Sequence, residues 1–425
     1  MNLSPDGTGA DTTAQPGRSE LATHWRVLAG CFLGIAAGGA SLFFYSSGLF
    51  LKAVAASFEV NRATASLAPL LGGLLMGLST PFFGWCSERW GTLRVAACAY
   101  ACVGLGFVLL GTVVHDFTTF LVLICLLGLA CGGTSPGVLT RPIVLAFRRQ
   151  RGLALGMAVT GTGVGAVLMP MLLVQVIERH GWQGGYLGLT VLLALLAPPA
   201  LWFLRHSPER PLRTAGAAPA AAAVPVAPLV PVQWGDPLLL RLMLSFLLVS
   251  LAALGSVVHV VPLITDRGLT PQAAGGYAAL MGAAIIGCRL LTGWLLDRFE
   301  AAALSAVLFA IAASGLAMLA SGHAALLLPG LLLLGLAVGS EHDLAAYLVG
   351  RHFPQRYALI FGAIYAVTGL GASFGPLLAA HVFDLTGSYQ GWLWGSVVML
   401  LAGALLALSL RPASSIDDTR RTVLN

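Results

Sequence analysis

The stretch GWCSERWGTLR at residues 84–94 recurs in shortened form as GWLLDR at residues 293–298, which lies 209 positions later. Each copy follows a long apolar run and presents a glycine, then an acid (Glu88 or Asp297), then an arginine. The two copies stand about half a chain apart. This spacing indicates two related halves that run in parallel, as in folds whose repeats are related by an axis along the membrane normal.

A second pattern repeats with nearly the same offset. Three glycines and a proline of the first half are matched 206 positions later by three glycines and a proline of the second half. The first set is Gly156, Gly163, Gly165 and Pro170, and the second set is Gly362, Gly369, Gly371 and Pro376. Two independent motifs at nearly one offset therefore predict a duplicated architecture.

The composition places this duplication in a membrane. Of the 425 residues, 57% are hydrophobic and only 9% are charged, and the mean hydropathy is +0.87. Soluble domains carry about 25% charged residues, so this chain has too few charges to cover a soluble surface. These values exclude a soluble enzyme, a nucleic-acid binder and a disulfide-built secreted module.

Apolar runs long enough to cross a bilayer are bounded by charges, glycines and prolines. They predict an all-α integral membrane protein with twelve transmembrane helices in two pseudo-symmetric six-helix halves. The predicted spans lie near 27–51, 64–85, 93–114, 117–141, 152–177, 184–204, 238–264, 273–296, 302–321, 324–349, 357–383 and 390–410.

The basic residues predict the orientation. If both termini are cytoplasmic, seventeen basic residues fall inside and four outside, while Arg141 and Arg289 lie within spans. The positive-inside rule favours this topology. The net charge of +6 comes from many arginines and a single lysine, Lys52, which together with the high alanine content suggests a GC-rich bacterial genome and hence the bacterial inner membrane.

The segments outside the two halves are polar or of low complexity. We expect residues 1–25 to form a disordered cytoplasmic tail, 205–236 a flexible cytoplasmic linker rich in Ala, Pro and Val, and 412–425 a cytoplasmic C-terminal tail. The halves themselves cover residues 26–204 and 237–411.

Residues 84–94 also resemble the loop signature of the major facilitator superfamily, a family of transporters with twelve helices. The resemblance implies that Gly84, Glu88, Arg89, Gly91 and Arg94 form a conformational latch, and Asp297 and Arg298 repeat it. Physically, the glycine permits close helix packing, and the acid can pair with an arginine or accept from a helix N-terminus. The alternative is a solvated loop with one ion pair.

The stretch FRRQRGLALGMAVTG, residues 147–161, resembles the helix 5 signature of the monocarboxylate and oxalate porters within that superfamily. The glycines at 156, 161 and 165 mark one close-packing face, and Gly371 and Pro376 belong to the repeated pattern in helix 11. The acidic, tryptophan-rich signature that opens helix 1 in that family is absent, so the resemblance is to its bacterial branch.

Arg289 is the first candidate for substrate binding. It lies about eight residues, or roughly 12 Å of helix, from the end of its predicted span, where an unpaired charge costs at least about 2.5 kcal/mol. The segment Arg289–Gly293 resembles the helix 8 segment whose arginine binds the substrate carboxylate in those porters. A guanidinium fork also matches a carboxylate. The alternative is a permanent ion pair with Glu341 or Asp343.

Further polar residues within the spans extend the candidate site. Burying Glu341 and Asp343 as anions in an apolar span costs free energy. They are therefore candidates for proton coupling or for pairing with Arg141. Arg141 is itself a candidate for the substrate site. Tyr45 and Tyr365 could donate to a carboxylate or simply pack. His259 could be a proton-coupling gate residue or an interfacial packing residue.

These features together predict a secondary transporter that moves a small organic anion with protons by alternating access. One buried cation instead of two favours a monoanion over a dianion as the substrate. The alternative function within the class of transporters is export of drugs or neutral metabolites, with Arg289 in a structural ion pair. The sequence lacks the motifs expected of a membrane enzyme, and it lacks the sizeable cytoplasmic domain expected of a transporter-like sensor. We expect a monomer in the bilayer that needs no metal or cofactor and binds no nucleic acid.

Overall fold

The computed structural model describes residues 19–208 and 231–410. The predicted tails and linker therefore fall mainly on residues 1–18, 209–230 and 411–425, which lie outside the described residues. The predicted N-terminal tail also includes a few described residues. Glu20–Thr23 forms a helical turn whose N-cap, Ser19, accepts a hydrogen bond from the N–H of Ala22, and this turn packs against the rest of the chain.

The described residues form helices joined by short turns, with no strand. Their bounds are α1 Trp25–Leu51, α2 Leu67–Trp90, α3 Thr92–Thr112, α4 Phe117–Ala146, α5 Arg151–Val159, α6 Gly161–Leu204, α7 Pro237–Val258, α8 Pro271–Leu296, α9 Ala301–Ala320, α10 Leu327–His352, α11 Tyr357–Thr386 and α12 Gln390–Leu408.

Eleven helices in the described ranges are long and apolar enough to cross a membrane. The all-helical membrane architecture predicted from the sequence is therefore confirmed. The predicted count of twelve spans stays a prediction, because the fifth and sixth spans meet in α6. This helix has a non-helical residue, Gly181 (φ 70°), between the predicted spans 152–177 and 184–204.

Two helices are interrupted near mid-span. In α1 the regular helix stops at Ala36 and a π-helical turn covers Ala40–Phe44. In α4 the regular helix stops at Cys131 and gives way to a 3₁₀ turn over Gly132–Thr134. Irregular backbone within a membrane is stable where it is buried in protein or lines a cavity. The turn in α1 contributes Ala40 and Phe44 to the central cavity described below, and Pro136, which follows the turn in α4, lines the same cavity.

The two halves meet along α2 with α11 and along α5 with α8. Close approach depends on glycines: a Cβ at Gly156 would lie 2.8 Å from the carbonyl oxygen of Arg289 across the interface. Within the halves, a Cβ at Gly161 would lie 2.5 Å from the Phe32 carbonyl and one at Gly371 would lie 2.8 Å from the Leu251 nitrogen. Gly165 falls in a stretch of α6 whose side-chain surroundings are not described.

Candidate functional site

A central cavity of about 230 Å³ lies between the two halves. The interrupted α1 contributes Phe44 and Tyr45, and the second half contributes Arg289, Glu341, His342 and Tyr365. The cavity is somewhat smaller than the 300–1,000 Å³ that is typical of sites for drug-sized ligands. Its size therefore suits a small molecule, and the described residues of its lining offer one cation, one acid and several aromatic rings.

Arg289 reaches this cavity from α8 and is only 8% exposed. Its Nη1 lies 4.0 Å from Oδ1 of Asp343, which is beyond hydrogen-bond length. Among the described residues Nη1 has no hydrogen-bond partner. A buried guanidinium normally needs charge-assisted hydrogen bonds, so the loose ion pair leaves this group able to bind a further anion.

The two acids of α10 occupy different surroundings. Glu341 is 1% exposed and lines the cavity, whereas Asp343 is fully buried and faces Arg289 without lining the cavity. None of their four carboxyl oxygens has a hydrogen-bond partner in the described chain. The nearby Ser250 hydroxyl donates instead to the Thr368 carbonyl at 2.7 Å. Asp343 is thus the ion-pair partner of Arg289, while Glu341 lines the same cavity as Arg289.

Aromatic and imidazole groups complete the wall. The rings of His342 and Tyr365 lie 5.2 Å apart between centroids and are inclined at 58°. Tyr45 is 44% exposed and lines the same cavity. The structure therefore brings Arg289, Glu341, Tyr45 and Tyr365 together as candidates. His342 was not among the candidates from the sequence. Its position between two acids in one apolar span is the signal that could have identified it.

Arg141 lies away from the cavity lining. Its Nη1 donates to the Ser87 carbonyl at 3.0 Å, near the end of α2 that carries Glu88. In this conformation Arg141 is not among the described residues that line the cavity, and its interpretation as a substrate-binding residue or as the partner of the α10 acids stays a prediction. The physical reason for its position is the break in α4: Arg141 begins a separate short helix, Arg141–Ala146, beyond the irregular turn.

His259 is also outside the cavity lining. Its Nε2 lies 2.9 Å from the Pro376 carbonyl and its Nδ1 lies 3.1 Å from the Tyr389 hydroxyl. A neutral ring with its proton on Nε2 satisfies both contacts, since Tyr389 can then donate to Nδ1. This packing joins α7 to α11 and α12, and it favours the structural interpretation of His259 over the gate interpretation.

The first predicted latch joins α2 to the start of α11. Glu88 is buried, its Oε1 accepts the N–H of Leu359 at 2.9 Å, and its Oε2 lies 3.1 Å from Nη1 of Arg356. A Cβ at Gly84 would collide with the backbone of Ala358. The acid thus binds a helix N-terminus, while the glycine permits the close approach; the role of this contact as a conformational latch stays a prediction.

The second copy joins α8 to the start of α5 in the same way. The carboxylate of Asp297 accepts the N–H of Gly152 at 2.6 Å and that of Leu153 at 3.0 Å. Burial raises the pKa of Asp297, and these two N–H donors oppose that rise. Leu153 and Leu359 are 206 positions apart, the same offset as the glycine pattern. The latches are therefore related by the pseudo-symmetry of the halves.

The remaining motif residues do not bridge the halves. Arg89 lies over the ring of Trp85 at 5.8 Å, and Arg298 lies over the ring of Trp294 at 3.8 Å. Arg94 is exposed. Gly91, with φ 87°, makes the turn between α2 and α3, a conformation that favours glycine. These residues shape the loop, while the glycine and the acid make the contact.

The latch end, defined as the end of the bundle that carries Glu88 and Asp297, is closed by further contacts between the halves. The hydroxyl groups of Thr140 and Tyr357 lie 2.7 Å apart, and Nη1 of Arg151 donates to the Gly350 carbonyl at 3.4 Å. Along α8 toward its opposite end, Gly282 has no neighbour within 4 Å of its Cβ position. Gly293, by contrast, packs against Gly152 at the latch end of the same helix.

Replacing Gly293 by alanine is expected to destabilise the closed latch. The new Cβ would lie 2.6 Å from the Gly152 carbonyl and 3.1 Å from Cα of Leu153, and overpacking against backbone costs about 1–3 kcal/mol. The control is Gly282→Ala in the same helix, where the Cβ enters open space. The melting temperature in detergent should fall for Gly293→Ala only. Equal melting temperatures for the two variants would contradict the close contact.

Comparison with known proteins agrees with this arrangement. Residues 31–358 match the model of the Major Facilitator Superfamily. The human protein "Monocarboxylate transporter 11" is 27% identical over 394 residues, which cover 86% of this chain and 78% of the relative. The "3-(3-hydroxy-phenyl)propionate transporter" of Escherichia coli (strain K12) is 26% identical over 398 residues, which cover 89% and 92% of the two chains.

Solved structures share the fold at lower identity. A superfamily transporter, FucP, in the outward conformation superposes with a TM-score of 0.73 at 14% identity, covering 93% of this chain and all of that one. The human organic anion transporter MFSD10 superposes with a TM-score of 0.67 at 18% identity, covering 92% of this chain and all of that one. Together with the family match over residues 31–358, which shows a transporter family and not an enzyme, this likeness confirms the predicted fold.

Proposed function

The chain belongs to the major facilitator superfamily, and from that premise we propose that it is a secondary active transporter of a small organic monoanion, coupled to protons by symport or exchange. The observation that carries the proposal is Arg289, a buried guanidinium that lines the cavity between the halves and whose Nη1 has no hydrogen-bond partner in the described chain. Its planar fork matches a carboxylate bidentately.

Two kinds of relative support an organic anion as substrate. The monocarboxylate transporter 11 of human and the hydroxyphenylpropionate transporter of E. coli are both named for carboxylates. In this chain the carboxylate would bind Arg289, while Tyr45, Tyr365 and His342 would contact the rest of the molecule. Among the described residues of the cavity lining, Arg289 is the one cation, so a second carboxylate on the substrate would lack a partner there. This favours a monoanion over a dianion.

Charge balance explains how a proton would be coupled. A dehydrated site in the membrane is least costly when it is neutral. With one guanidinium and two acids, neutrality requires one proton on the acids when the site is empty. When an anionic substrate binds Arg289, neutrality requires a second proton. Loading one monoanion therefore takes up one proton.

Asp343 is the acid best placed to be replaced on Arg289 by the substrate carboxylate. It is the ion-pair partner of Arg289 at 4.0 Å, so an arriving substrate carboxylate would replace it. Displaced and fully buried, Asp343 would then be costly as an anion and would accept the proton. Glu341, which has no hydrogen-bond partner in the described part of the chain, would keep its proton in both states.

The two latches fit alternating access. With Glu88 and Asp297 bound to opposing helix starts, the latch end is closed, and the halves would rock apart there to release substrate. By the positive-inside rule the latch end is cytoplasmic, as are both termini, in the inner membrane of a bacterium. The conformation is then outward-facing. We expect one chain to suffice, since each chain contains both halves.

Uptake into proteoliposomes tests the proposal. Purified protein should take up labelled lactate, benzoate or 3-phenylpropionate, faster with an acidic exterior, and should leave succinate, glucose and tetraphenylphosphonium outside. Protein-free liposomes set the background, which matters because protonated weak acids cross bilayers unaided. Uptake of the sugar or the organic cation without any carboxylate would refute the proposal.

A second candidate is an exporter of drugs or neutral metabolites, which the ion pair between Arg289 and Asp343 favours. In that case Arg289 is structural. The double variant Arg289→Ala/Asp343→Ala removes both charges together and should then keep transport of neutral or cationic compounds. Under the anion proposal the same double variant loses carboxylate transport.

A further inference from the structure

The short segment Ser19–His24 lies on the loop between α4 and α5. Its helical turn places the Glu20 side chain at the start of α5, where Oε2 accepts three successive backbone N–H groups. The donors are Arg148 at 3.2 Å, Arg149 at 2.9 Å and Gln150 at 3.0 Å. Hydrogen bonds to a charged acceptor are stronger than neutral ones, so Glu20 fixes the backbone of this loop.

The contact is reciprocal. The side-chain Oε1 of Gln150 accepts the N–H of Leu21 at 3.2 Å. Next to it, the ring of His24 packs edge-on against the buried ring of Phe147, with centroids 5.4 Å apart. The segment is thus tied to the loop by backbone and side-chain contacts before α1 begins at Trp25.

The same loop leads into the second latch. One residue beyond the three N–H groups that bind Glu20, the N–H groups of Gly152 and Leu153 bind Asp297. Two carboxylates, one from the N-terminal segment and one from the second half, therefore share five backbone donors within residues 148–153. Because these donors lie on one short stretch, the position of the stretch decides whether Asp297 can reach its two donors.

The other latch is built differently. At the start of α11 the acid Glu88 has a basic partner, Arg356 at 3.1 Å. The residue 206 positions before Arg356 is Gln150, which is neutral and binds the N-terminal segment. The arginine beside Asp297, Arg298, lies over Trp294 and donates to the Trp294 carbonyl at 3.1 Å. The α5–α8 latch thus has Glu20 on its loop where the α2–α11 latch has an ion pair.

We infer that Glu20 is a positioning residue of the α5–α8 latch, and that the segment Ser19–His24 is a clip which holds the α4–α5 loop so that Asp297 can bind Gly152 and Leu153. The inference rests on the proposed role of this contact in alternating access. Release of the clip loosens one latch and leaves the other closed. The N-terminal segment therefore sets the balance between the two conformations of the transporter.

Hydrogen–deuterium exchange with single-residue fragmentation tests this directly. Glu20→Ala is compared with wild type and with Glu178→Ala, which removes an equal charge from an exposed helical position. We expect the amides of Gly152 and Leu153, which do not touch Glu20, to exchange about tenfold faster in Glu20→Ala, because a charge-assisted anchor of their loop is lost. The Leu359 amide, bound to Glu88, should be unchanged.

Two results would overturn the inference. One is faster exchange confined to residues 148–150, which makes Glu20 a local cap only. The other is faster exchange at Leu359 as well, which indicates general loosening. Glu20→Gln, which retains a neutral acceptor, should give an intermediate effect and remains informative if Glu20→Ala folds poorly. Because exchange is measured without substrate, failure here is distinct from failure of the anion-transport proposal.

Discussion

Carboxylate uptake by Arg289→Ala is expected to fall about 30- to 100-fold at low substrate concentration, equivalent to about 2–3 kcal/mol of lost binding. The arginine is the cation that lines the cavity, so the substrate carboxylate would lose its charged partner. Uptake of lactate, benzoate or 3-phenylpropionate by proteoliposomes, measured as an initial rate, gives the comparison with wild type.

A general loss of folding has to be separated from this effect. Removing Arg289 leaves the buried Asp343 without its ion-pair partner, which is destabilising when the acid is charged. The double variant Arg289→Ala/Asp343→Asn removes that cost and should fold as well as wild type, yet still lack uptake. Arg289→Lys, which keeps the charge and loses the fork, should transport at an intermediate rate. Wild-type uptake by the double variant would contradict the role of Arg289.

The pH dependence of uptake is expected to disappear in Asp343→Asn. In the wild type, a proton is a co-substrate, so uptake should rise as the external pH falls from 7.5 to 6. With an amide at position 343, the acid that exchanges with the substrate on Arg289 is gone. Because Glu341 keeps its proton in both states, the empty site then carries the unbalanced charge of Arg289, and loading no longer takes up a proton. Equilibrative exchange of substrate should continue, while accumulation driven by a pH gradient should stop.

Glu341→Gln is the matched control for this prediction. Its amide mimics a carboxyl group that keeps its proton throughout, so the pH dependence should persist. The opposite pattern, with coupling lost in Glu341→Gln and retained in Asp343→Asn, would assign the proton to Glu341 instead. Full coupling in the variant that carries both amides would contradict the charge balance on which the mechanism depends.

The sequence predicted the parts of the fold that repeat. Gly84 and Gly293 each lie at a helix contact between the halves, and Glu88 and Asp297 each bind the start of an opposing helix. These outcomes were predictable because a small residue and an acid at fixed spacing have the same physical role in both copies. Arg289 was predictable for a related reason: a charge in an apolar span has to face a cavity or a partner.

Other residues could not be placed from periodicity. The turn at Gly132–Thr134 and the new short helix after it bring Nη1 of Arg141 to the Ser87 carbonyl at the latch end. Glu20 lies in a polar segment without periodicity and contacts residues about 130 positions away. Nothing local to either residue reports such distant contacts, so only the folded chain shows them.

Binding of a carboxylate and of its carboxamide to the same protein tests the central claim most directly. The pair 3-phenylpropionate and 3-phenylpropanamide has nearly the same shape and differs in charge, and a ligand of the folded state raises the melting temperature. The account predicts that the carboxylate stabilises the wild type, that the carboxamide does not, and that neither stabilises Arg289→Ala/Asp343→Asn. Equal stabilisation by both compounds, surviving in that double variant, would contradict it.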